Sequence, residues 1–318
     1  MNAVRFGPTS AQRASRPASR TSVMAQAAAA KRVLITGANT GIGYVAALEL
    51  AKRDYEVTMA CRDPARASDA QARLQAAVPG AKVDTVPLDL GDLGSVRDCA
   101  SRLLDREPFD VVLNNAGVMA TPKMQTKDGF DFQLGVNHLG HFALTNALLP
   151  SLKSAGKPVR IINVASEAHK FGGIDFADLQ REKSYQAWEA YGQSKLANVM
   201  FTYELARRLS SDAPQITVNC LHPGVVKTEL GRYMVNDSWF MPAAIAVASL
   251  FFKTPEQGAE TSIYLASSTE AAGLSGKYFD NCKPVQSSPA SYDVATATKL
   301  YDVSSELVAS KSKAPARS

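Results

Sequence analysis

Short apolar runs alternate with longer segments of helical spacing through most of the chain. The apolar runs predict strands over residues 31–36, 56–61, 83–88, 109–113, 159–166 and 276–280, with helices between them. Strands of nearly continuous apolar character that alternate with helices are typical of a parallel sheet covered on both faces. The pattern therefore predicts a single doubly wound α/β domain over residues 31–285.

A glycine-rich turn follows the first predicted strand. It reads Gly37-Ala38-Asn39-Thr40-Gly41-Ile42-Gly43 and leads into a helix that continues through Ala51. Glycines let the backbone approach a ligand closely, and a helix N-terminus offers free N–H groups to a pyrophosphate. The turn predicts a Rossmann-like dinucleotide site, although an ordinary turn between a strand and a helix can carry the same residues.

The second predicted strand runs into Arg62, which bears on the choice of dinucleotide. An acidic residue at this strand end binds the ribose 2′-hydroxyl of NAD, whereas an arginine suits the 2′-phosphate of NADP. Arg62 therefore favours NADP(H). The neighbouring Asp63 leaves an alternative open, because a carboxylate facing the ribose would weaken or reverse that preference.

Tyr191 and Lys195 lie four residues apart in a segment, residues 185–209, with helical apolar spacing. Side chains at that separation share a helix face and lie about 5–6 Å apart. A nearby ammonium favours phenolate, so we expect the pKa of Tyr191 to lie below its usual value of about 10. Such a tyrosine can exchange protons near neutral pH. The alternative is an amphipathic helix that merely carries both residue types.

Other polar residues give weaker signals when taken singly. Asn137 lies inside a predicted helix, and Ser166 ends a predicted strand, at the sheet edge where ligands bind in such folds. His138 and His141 have no carboxylate or third ligand at useful spacing, so we interpret them as structural. The four cysteines are scattered and form no Cys-x-x-Cys pair, so we expect neither a metal site nor a disulfide framework.

Six elements, in order, make residues 31–285 resemble the short-chain dehydrogenase/reductase family. They are Thr36-Gly37-x-x-x-Gly41-x-Gly43, Asn114-Asn115-Ala116-Gly117, Asn137, Ser166, Tyr191-x-x-x-Lys195 and Pro223-Gly224. The resemblance implies an oxidoreductase in which a nicotinamide cofactor carries the hydride.

The resemblance also implies a catalytic tetrad. Tyr191 would act as general acid or base, and Ser166 would hydrogen-bond the substrate oxygen. Lys195 would lower the Tyr191 pKa and hold the nicotinamide ribose, while Asn137 would anchor a water that feeds protons to Lys195. Together with the glycine turn and Arg62, the expected cofactor contacts are Gly37, Asn39, Thr40, Gly41, Ile42, Gly43, Arg62, Asp89, Leu90, Asn114, Ala116, Gly117, Tyr191, Lys195, Pro223, Gly224 and Thr228.

Within the family the chain resembles retinol dehydrogenase-like members and WW-domain oxidoreductases over residues 60–63, 135–142, 194–198 and 221–230. A plastid dehydrogenase associated with protein import has a similar pattern. Light-dependent protochlorophyllide reductase is a more distant relative, and the cysteine it carries just after Pro-Gly is missing here. The separation of 25 residues between Ser166 and Tyr191 is larger than is common in the family, because the segment from Lys170 to Ala190 is longer. We expect residues 167–184 to form a loop beside the active site that shapes the substrate mouth.

Residues 225–253 match the segment that covers the substrate in this family. They are almost free of charge between 233 and 252, which suits an apolar carbonyl or alcohol, such as a retinoid-like, carotenoid-derived or lipid aldehyde, or contact with a membrane surface. Packing on the core or in a homo-oligomer interface would also explain this segment. We expect an NADPH-dependent reductase; the alternatives are an NADP(H)-sensing scaffold at the plastid envelope and a protochlorophyllide reductase-like enzyme.

The two ends differ from the domain in composition. Residues 1–30 contain four arginines, many alanines and serines, and no acidic residue, which is typical of an organelle transit peptide and, around Val23-Met24-Ala25, of a chloroplast one. Because these residues supply most of the net charge of +5, no nucleic-acid partner is expected. Residues 286–318 form a C-terminal extension that we expect to be disordered from about 311.

Overall fold

A computed structural model describes residues 30–226 and 252–312, together with Met1, Ala3 and Gly7. Nearly all of the predicted transit peptide, most of the predicted lid including Thr228, and residues 313–318 of the tail lie outside the described residues. The expectations for those segments therefore stay predictions. No helix in the described part of the chain is long and apolar enough to cross a bilayer.

Eight strands of the described residues form one sheet. They are β1 Arg32–Thr36, β2 Glu56–Cys61, β3 Val83–Pro87, β4 Val111–Asn114, β5 Val159–Val164, β6 Ile216–Leu221, β7 Lys277–Asp280 and β8 Lys283–Val285. Their order across the sheet is β3-β2-β1-β4-β5-β6-β7-β8. Strands β1 to β7 pair in parallel, and β8 is antiparallel to β7.

The order of strands reverses between β1 and β4. In open parallel sheets, the crevice at such a point, outside the carboxyl ends of the strands, is where ligands bind. The glycine turn follows β1 and Asn114-Asn115-Ala116-Gly117 follows β4. The topology therefore brings these two motifs, far apart in sequence, to one crevice.

Helices cover both faces of the sheet. They are α1 Gly41–Ala51, α2 Pro64–Ala77, α3 Leu93–Leu104, α4 Gly140–Ser154, α5 Ala187–Asp212, α6 Pro255–Ser267 and α7 Val294–Ser312. Alternate strand residues feed two separate cores: Leu34 packs with residues of α3, α4 and α5, whereas Val33 and Ile35 pack with residues of α1, α2 and α6. The predicted doubly wound α/β sheet with helices on both faces is confirmed.

The structure differs from the prediction near the C-terminus. The strand at 277–280 is followed by β8, so it is not the last. Beyond residue 285, helix α7 packs against α5: Leu300 is buried in the core, and Ser304 Oγ lies 2.9 Å from His138 Nε2. The extension is thus helical up to Ser312, where the described residues end, and its Ala297 and Leu300 belong to the domain's core.

Candidate active site

The glycine turn after β1 is shaped by backbone contacts. Gly37 has a φ of +67°, which a side chain disfavours. A Cβ on Gly43 would lie 2.4 Å from the Gly37 carbonyl oxygen. Thr40 caps helix α1 without a side-chain hydrogen bond, so the N–H groups of the first turn are left for a ligand. These residues fit the pyrophosphate of a dinucleotide.

Thr36, the last residue of β1, joins the two motifs of the crevice. Its hydroxyl oxygen accepts hydrogen bonds from the backbone N–H groups of Asn115 and Ala116, at 2.9 and 3.0 Å. Its hydroxyl also lies 2.9 Å from His141 Nε2. Sequence reasoning did not assign Thr36 this role, because a threonine at a strand end carries no signal of its own. The structural role expected of His141 is confirmed by this contact.

Arg62 and Asp63, the two residues that bear on NADP preference, follow β2 directly and have different surroundings. The Asp63 carboxylate accepts hydrogen bonds from the backbone N–H groups of Ala65 and Arg66, at 2.9 and 3.1 Å. It is therefore the N-cap of α2. Arg62 is exposed beside it. The alternative in which Asp63 faces the ribose conflicts with this capping role.

Leu90 and Asn114, which we expected to contact the cofactor, have side chains that pack or hydrogen-bond inside the domain. Leu90 is buried in the core, next to Asp89, whose carboxylate accepts from Gly91 N at 2.9 Å. The Asn114 amide is buried and donates to Thr145 Oγ1 at 2.9 Å and to Asn163 Oδ1 at 2.8 Å. We expected Asn114 to line the cofactor cleft, but its side chain ties β4 to α4 and β5.

Tyr191 and Lys195 share one face of α5, as predicted. The Lys195 Nζ lies 5.7 Å from the centre of the Tyr191 ring, and each side chain is 3% exposed. Lys195 donates a 3.1 Å hydrogen bond to the carbonyl oxygen of Val164, at the end of β5. Helix packing thus delivers both groups to the carboxyl edge of the sheet.

The prediction that Lys195 lowers the pKa of Tyr191 below its usual value is wrong. Burial raises the pKa of Tyr191 to about 12, opposed by a hydrogen bond with Ser166. Burial also lowers the pKa of Lys195 to about 8. Desolvation disfavours the charged form of each group, and it is the largest cause of both pKa shifts. The phenol is therefore protonated at neutral pH.

Ser166 lies just beyond β5 and begins a 3-10 turn, Glu167–Phe171. Its hydroxyl oxygen accepts from Ala168 N at 3.2 Å. That hydrogen bond leaves the hydroxyl proton available to a substrate oxygen, while the side chain is also within hydrogen-bond reach of Tyr191. Ser166 and Tyr191 thus meet, although 25 residues separate them.

Asn137 lies in a π-helical turn, Gly135–Leu139, that continues directly into α4. Such turns recur at functional sites. Its side-chain oxygen accepts from Val118 N at 2.8 Å, and its amide donates to Val118 O and Ser194 Oγ, both at 2.9 Å. A Cβ on Gly117 would lie 3.0 Å from the Asn137 oxygen and 3.4 Å from Lys195 Nζ. Gly117 therefore leaves room for Asn137 and Lys195 to approach each other.

Ser194 is a second residue that the sequence did not indicate. It is fully buried, accepts from Asn137 and donates to Tyr191 O at 2.8 Å. This hydrogen bond links the π-helical turn to the first turns of α5. A serine in mid-helix gives no hint of such a bridge, because the hydrogen bond to the carbonyl three residues earlier is common for serine.

Pro223-Gly224 follows β6 at the same sheet edge. Gly224 has a φ of +83°, and its N–H donates to His222 Nδ1 at 3.2 Å. His222 Nε2 lies 3.1 Å from Glu167 Oε1 and 3.2 Å from Asp280 Oδ1. Burial lowers the pKa of His222. No cluster of side chains within the described residues is suited to hold a metal ion.

The parallel sheet, the glycine turn at its switch point and the buried Tyr191–Lys195 pair define a nucleotide-dependent oxidoreductase site. A family model for short chain dehydrogenases matches residues 31–239. The chain belongs to the short-chain dehydrogenase family.

Similar proteins agree with this assignment. Human retinol dehydrogenase 14 is 48% identical over 292 residues, which cover 87% of this chain and 86% of that protein. Human retinol dehydrogenase 13 is 46% identical over 282 residues, with 87% and 84% covered. The retinol dehydrogenase-like resemblance is thereby confirmed.

Solved structures give the same fold. An uncharacterized protein from Mycobacterium Paratuberculosis has 36% identity and a TM-score of 0.71, over 88% of this chain and 93% of that chain. The Pseudomonas aeruginosa RhlG/NADP complex has 26% identity and a TM-score of 0.62, covering 78% and 93%. A 3-ketoacyl-(acyl-carrier-protein) reductase from Brucella melitensis, complexed with NADH, has 26% identity and a TM-score of 0.61, covering 79% and 96%. Both nicotinamide dinucleotides thus occur among similar structures.

Proposed function

We propose that this protein is an NADPH-dependent reductase of an apolar carbonyl compound, such as a retinoid-like, carotenoid-derived or lipid aldehyde. The observation that carries the proposal is the buried, protonated Tyr191 phenol, within hydrogen-bond reach of Ser166 and on one helix face with Lys195. An acid that holds its proton at neutral pH is suited to carbonyl reduction. The four members of the expected tetrad converge at one sheet edge.

Each residue of the expected tetrad has its own role in carbonyl reduction. The nicotinamide, when bound, supplies the hydride. Ser166 donates its hydroxyl proton as a hydrogen bond to the carbonyl oxygen, and Tyr191 transfers its own proton to that oxygen as negative charge develops. The resulting phenolate is stabilised by the Lys195 ammonium, because an opposite charge within a few ångströms favours the ionised form. Asn137 holds Val118 and Ser194 in place around Lys195.

The preference for NADPH rests on Arg62. It is exposed at the carboxyl end of β2, where the ribose of a dinucleotide binds in such folds, and the competing Asp63 caps α2. The apolar nature of the substrate is supported by the weakly charged segment 233–252 and by the similarity to retinol dehydrogenases. We also propose that the protein acts in a chloroplast, on the composition of residues 1–30.

The test is turnover by the full-length protein. Nicotinamide absorbance is followed with NADPH and with NADH, using retinal, medium-chain aldehydes and carotenoid-derived aldehydes. Oxidation of NADPH that depends on the aldehyde and exceeds that of NADH is expected. Tight NADPH binding with no reduction of any carbonyl would contradict the proposal and favour the NADP(H)-sensing scaffold.

A further inference from the structure

Several large apolar side chains are exposed near the sheet edge that carries the tetrad. Nine such side chains are exposed among the described residues. Three of them lie in the loops that follow three neighbouring strands: Met124 after β4, Phe171 after β5 and Val225 after β6. A fourth, Trp188, lies in the first turn of α5. The carboxyl ends of parallel strands meet at one edge of a sheet, so the loops that carry Met124, Phe171 and Val225 leave the sheet at the edge that carries the tetrad.

Trp188 contacts the general acid directly. It precedes Tyr191 by three residues on α5, so the two side chains are neighbours on one helix face. Their ring centres lie 5.9 Å apart with an interplanar angle of 80°, an edge-to-face arrangement. Tyr191 is buried, whereas Trp188 is 43% exposed. One part of the indole therefore packs on the phenol, and the other is open.

Phe171 lies on the same face of α5. A Cβ on Gly192 would lie 3.1 Å from Phe171 Cδ2 and Cε2, so the phenyl ring lies over Gly192, four residues after Trp188. Gly172 approaches α5 still more closely, since a Cβ on it would lie 2.3 Å from the Gly192 carbonyl oxygen. This close backbone contact holds Phe171 beside the helix although its side chain is 60% exposed.

Charged neighbours of the two rings are already paired. Lys170 lies 2.7 Å from Glu167, and Glu189 lies 3.6 Å from Arg181. Lys170 and Glu189, the charged residues next to Phe171 and Trp188 in the sequence, thus each have an oppositely charged partner. Exposed aromatic side chains contribute little to the core, and contiguous apolar surface at a cleft is typical of a binding site.

We propose that Phe171 and Trp188 form an aromatic rim that receives the apolar chain attached to the substrate carbonyl, with Trp188 as the specificity-determining residue. The proposal rests on the proposed function and names the substrate portion that this site selects: an extended, apolar or conjugated carbon chain. Because Trp188 touches Tyr191, a chain that packs on the indole has its carbonyl end beside the phenol. A small aldehyde reaches the phenol without touching the rim.

The test compares two aldehydes on matched variants of the full-length protein. The kcat/KM with NADPH is measured for all-trans-retinal and for propanal on wild type, Trp188→Ala, Trp188→Phe and Phe171→Ala. Leu104→Ala, an exposed apolar residue at the far end of α3, is the control. NADPH affinity by calorimetry and the thermal midpoint identify variants with altered folding.

The expected result is a selective loss. Trp188→Ala lowers kcat/KM for retinal about 10–100-fold and for propanal less than about threefold, as loss of an apolar contact to one substrate predicts. Trp188→Phe recovers most of the retinal rate, and Leu104→Ala changes neither rate. An equal fall in kcat/KM for both aldehydes would assign Trp188 to positioning Tyr191 and would overturn the rim. Unchanged kcat/KM values for both aldehydes in Trp188→Ala would also overturn it. If wild type binds NADPH but reduces neither aldehyde nor any other carbonyl, the proposed function fails and the rim fails with it.

Discussion

Lys195 Nζ donates its hydrogen bond to the Val164 carbonyl, while the ring of Tyr191 lies 5.7 Å away on the same helix face. The ammonium is thus held by the end of β5, on the side of the helix that carries the phenol ring. Burial keeps Tyr191 protonated and makes Lys195 easier to deprotonate. The state of Lys195, and not that of Tyr191, therefore changes near physiological pH.

This relationship predicts how reduction depends on pH. The pKa of Lys195 is lowered to about 8, so its positive charge is present below that pH and is lost as the pH rises through 8. We expect kcat/KM for NADPH, which reports on the cofactor-free enzyme, to fall above pH 8. Lys195→Arg, whose guanidinium stays charged, should be less active but should lack this falling limb. The profile is measured from pH 6 to 10, and an identical limb in the variant would assign the titration to another group.

A side chain at position 43 should destabilise the glycine turn. A Cβ there meets the Gly37 carbonyl oxygen at 2.4 Å and Asn115 Nδ2 at 2.5 Å. Since the first contact is with backbone, Gly43→Ala should destabilise the protein by about 1–3 kcal/mol and weaken NADPH binding. Gly173→Ala, with no atom within 4 Å of the new Cβ, is the control and should be within about 0.5 kcal/mol of wild type. Urea unfolding and calorimetry measure both, and equal stabilities for the two variants would refute the close approach.

Arg62 and Asp63 should have separable effects on cofactor choice. Removing a guanidinium from a phosphate costs about 1.5–3 kcal/mol, so Arg62→Ala should reduce the ratio of kcat/KM for NADPH over NADH by about 10–100-fold. Asp63→Asn keeps a good N-cap residue and should leave the ratio nearly unchanged. Steady-state kinetics with both cofactors give the ratios. A large change from Asp63→Asn together with none from Arg62→Ala would reverse the assignment.

Buried His138 should make the fold sensitive to acid. Burial lowers its pKa to about 4, whereas an unfolded histidine titrates near 6.5. Between these values the unfolded chain binds the extra proton, so this contribution to stability is present above about pH 6.5 and is lost as the pH falls toward 4. The slope is at most about 1.4 kcal/mol per pH unit for one group. His138→Gln, compared with wild type by urea unfolding at pH 7, 6 and 5, should show a shallower loss; parallel curves would exclude His138 as the source.

Apolar strands and glycine turns could be predicted from sequence because each depends on local pattern. The strand predicted at 56–61 matches β2, and the tetrad residues converge as the order of motifs implied. Strand β6 was not predicted, because Thr217 and Asn219 interrupt its apolar run. The structure accommodates both: Thr217 bonds to Val159 O, and Asn219 bonds to Leu274 O.

What sequence could not supply depends on burial and long-range packing. The tyrosine pKa was predicted from the spacing to Lys195 alone, but desolvation, which no spacing reveals, decides its direction. The role of Asp63 depends on its hydrogen bonds to the first turn of α2, which the residue types alone do not reveal. The same holds for α7, whose Tyr301 ring packs 4.9 Å from the ring of Phe142 and 6.1 Å from that of Phe201, both 100 residues or more away along the chain.

The central claim is that the buried Tyr191 phenol delivers the proton. Tyr191→Phe removes that proton and keeps the ring that packs against Trp188, so the fold and NADPH affinity should persist. Turnover of an aldehyde that wild type reduces should fall roughly 10²–10⁴-fold, the usual effect of a positioned acid. The measurements are kcat/KM for the aldehyde and NADPH affinity by calorimetry, on wild type and on Tyr191→Phe. A large loss of rate with unchanged NADPH binding is the predicted result, and near-normal turnover in the variant would contradict the mechanism.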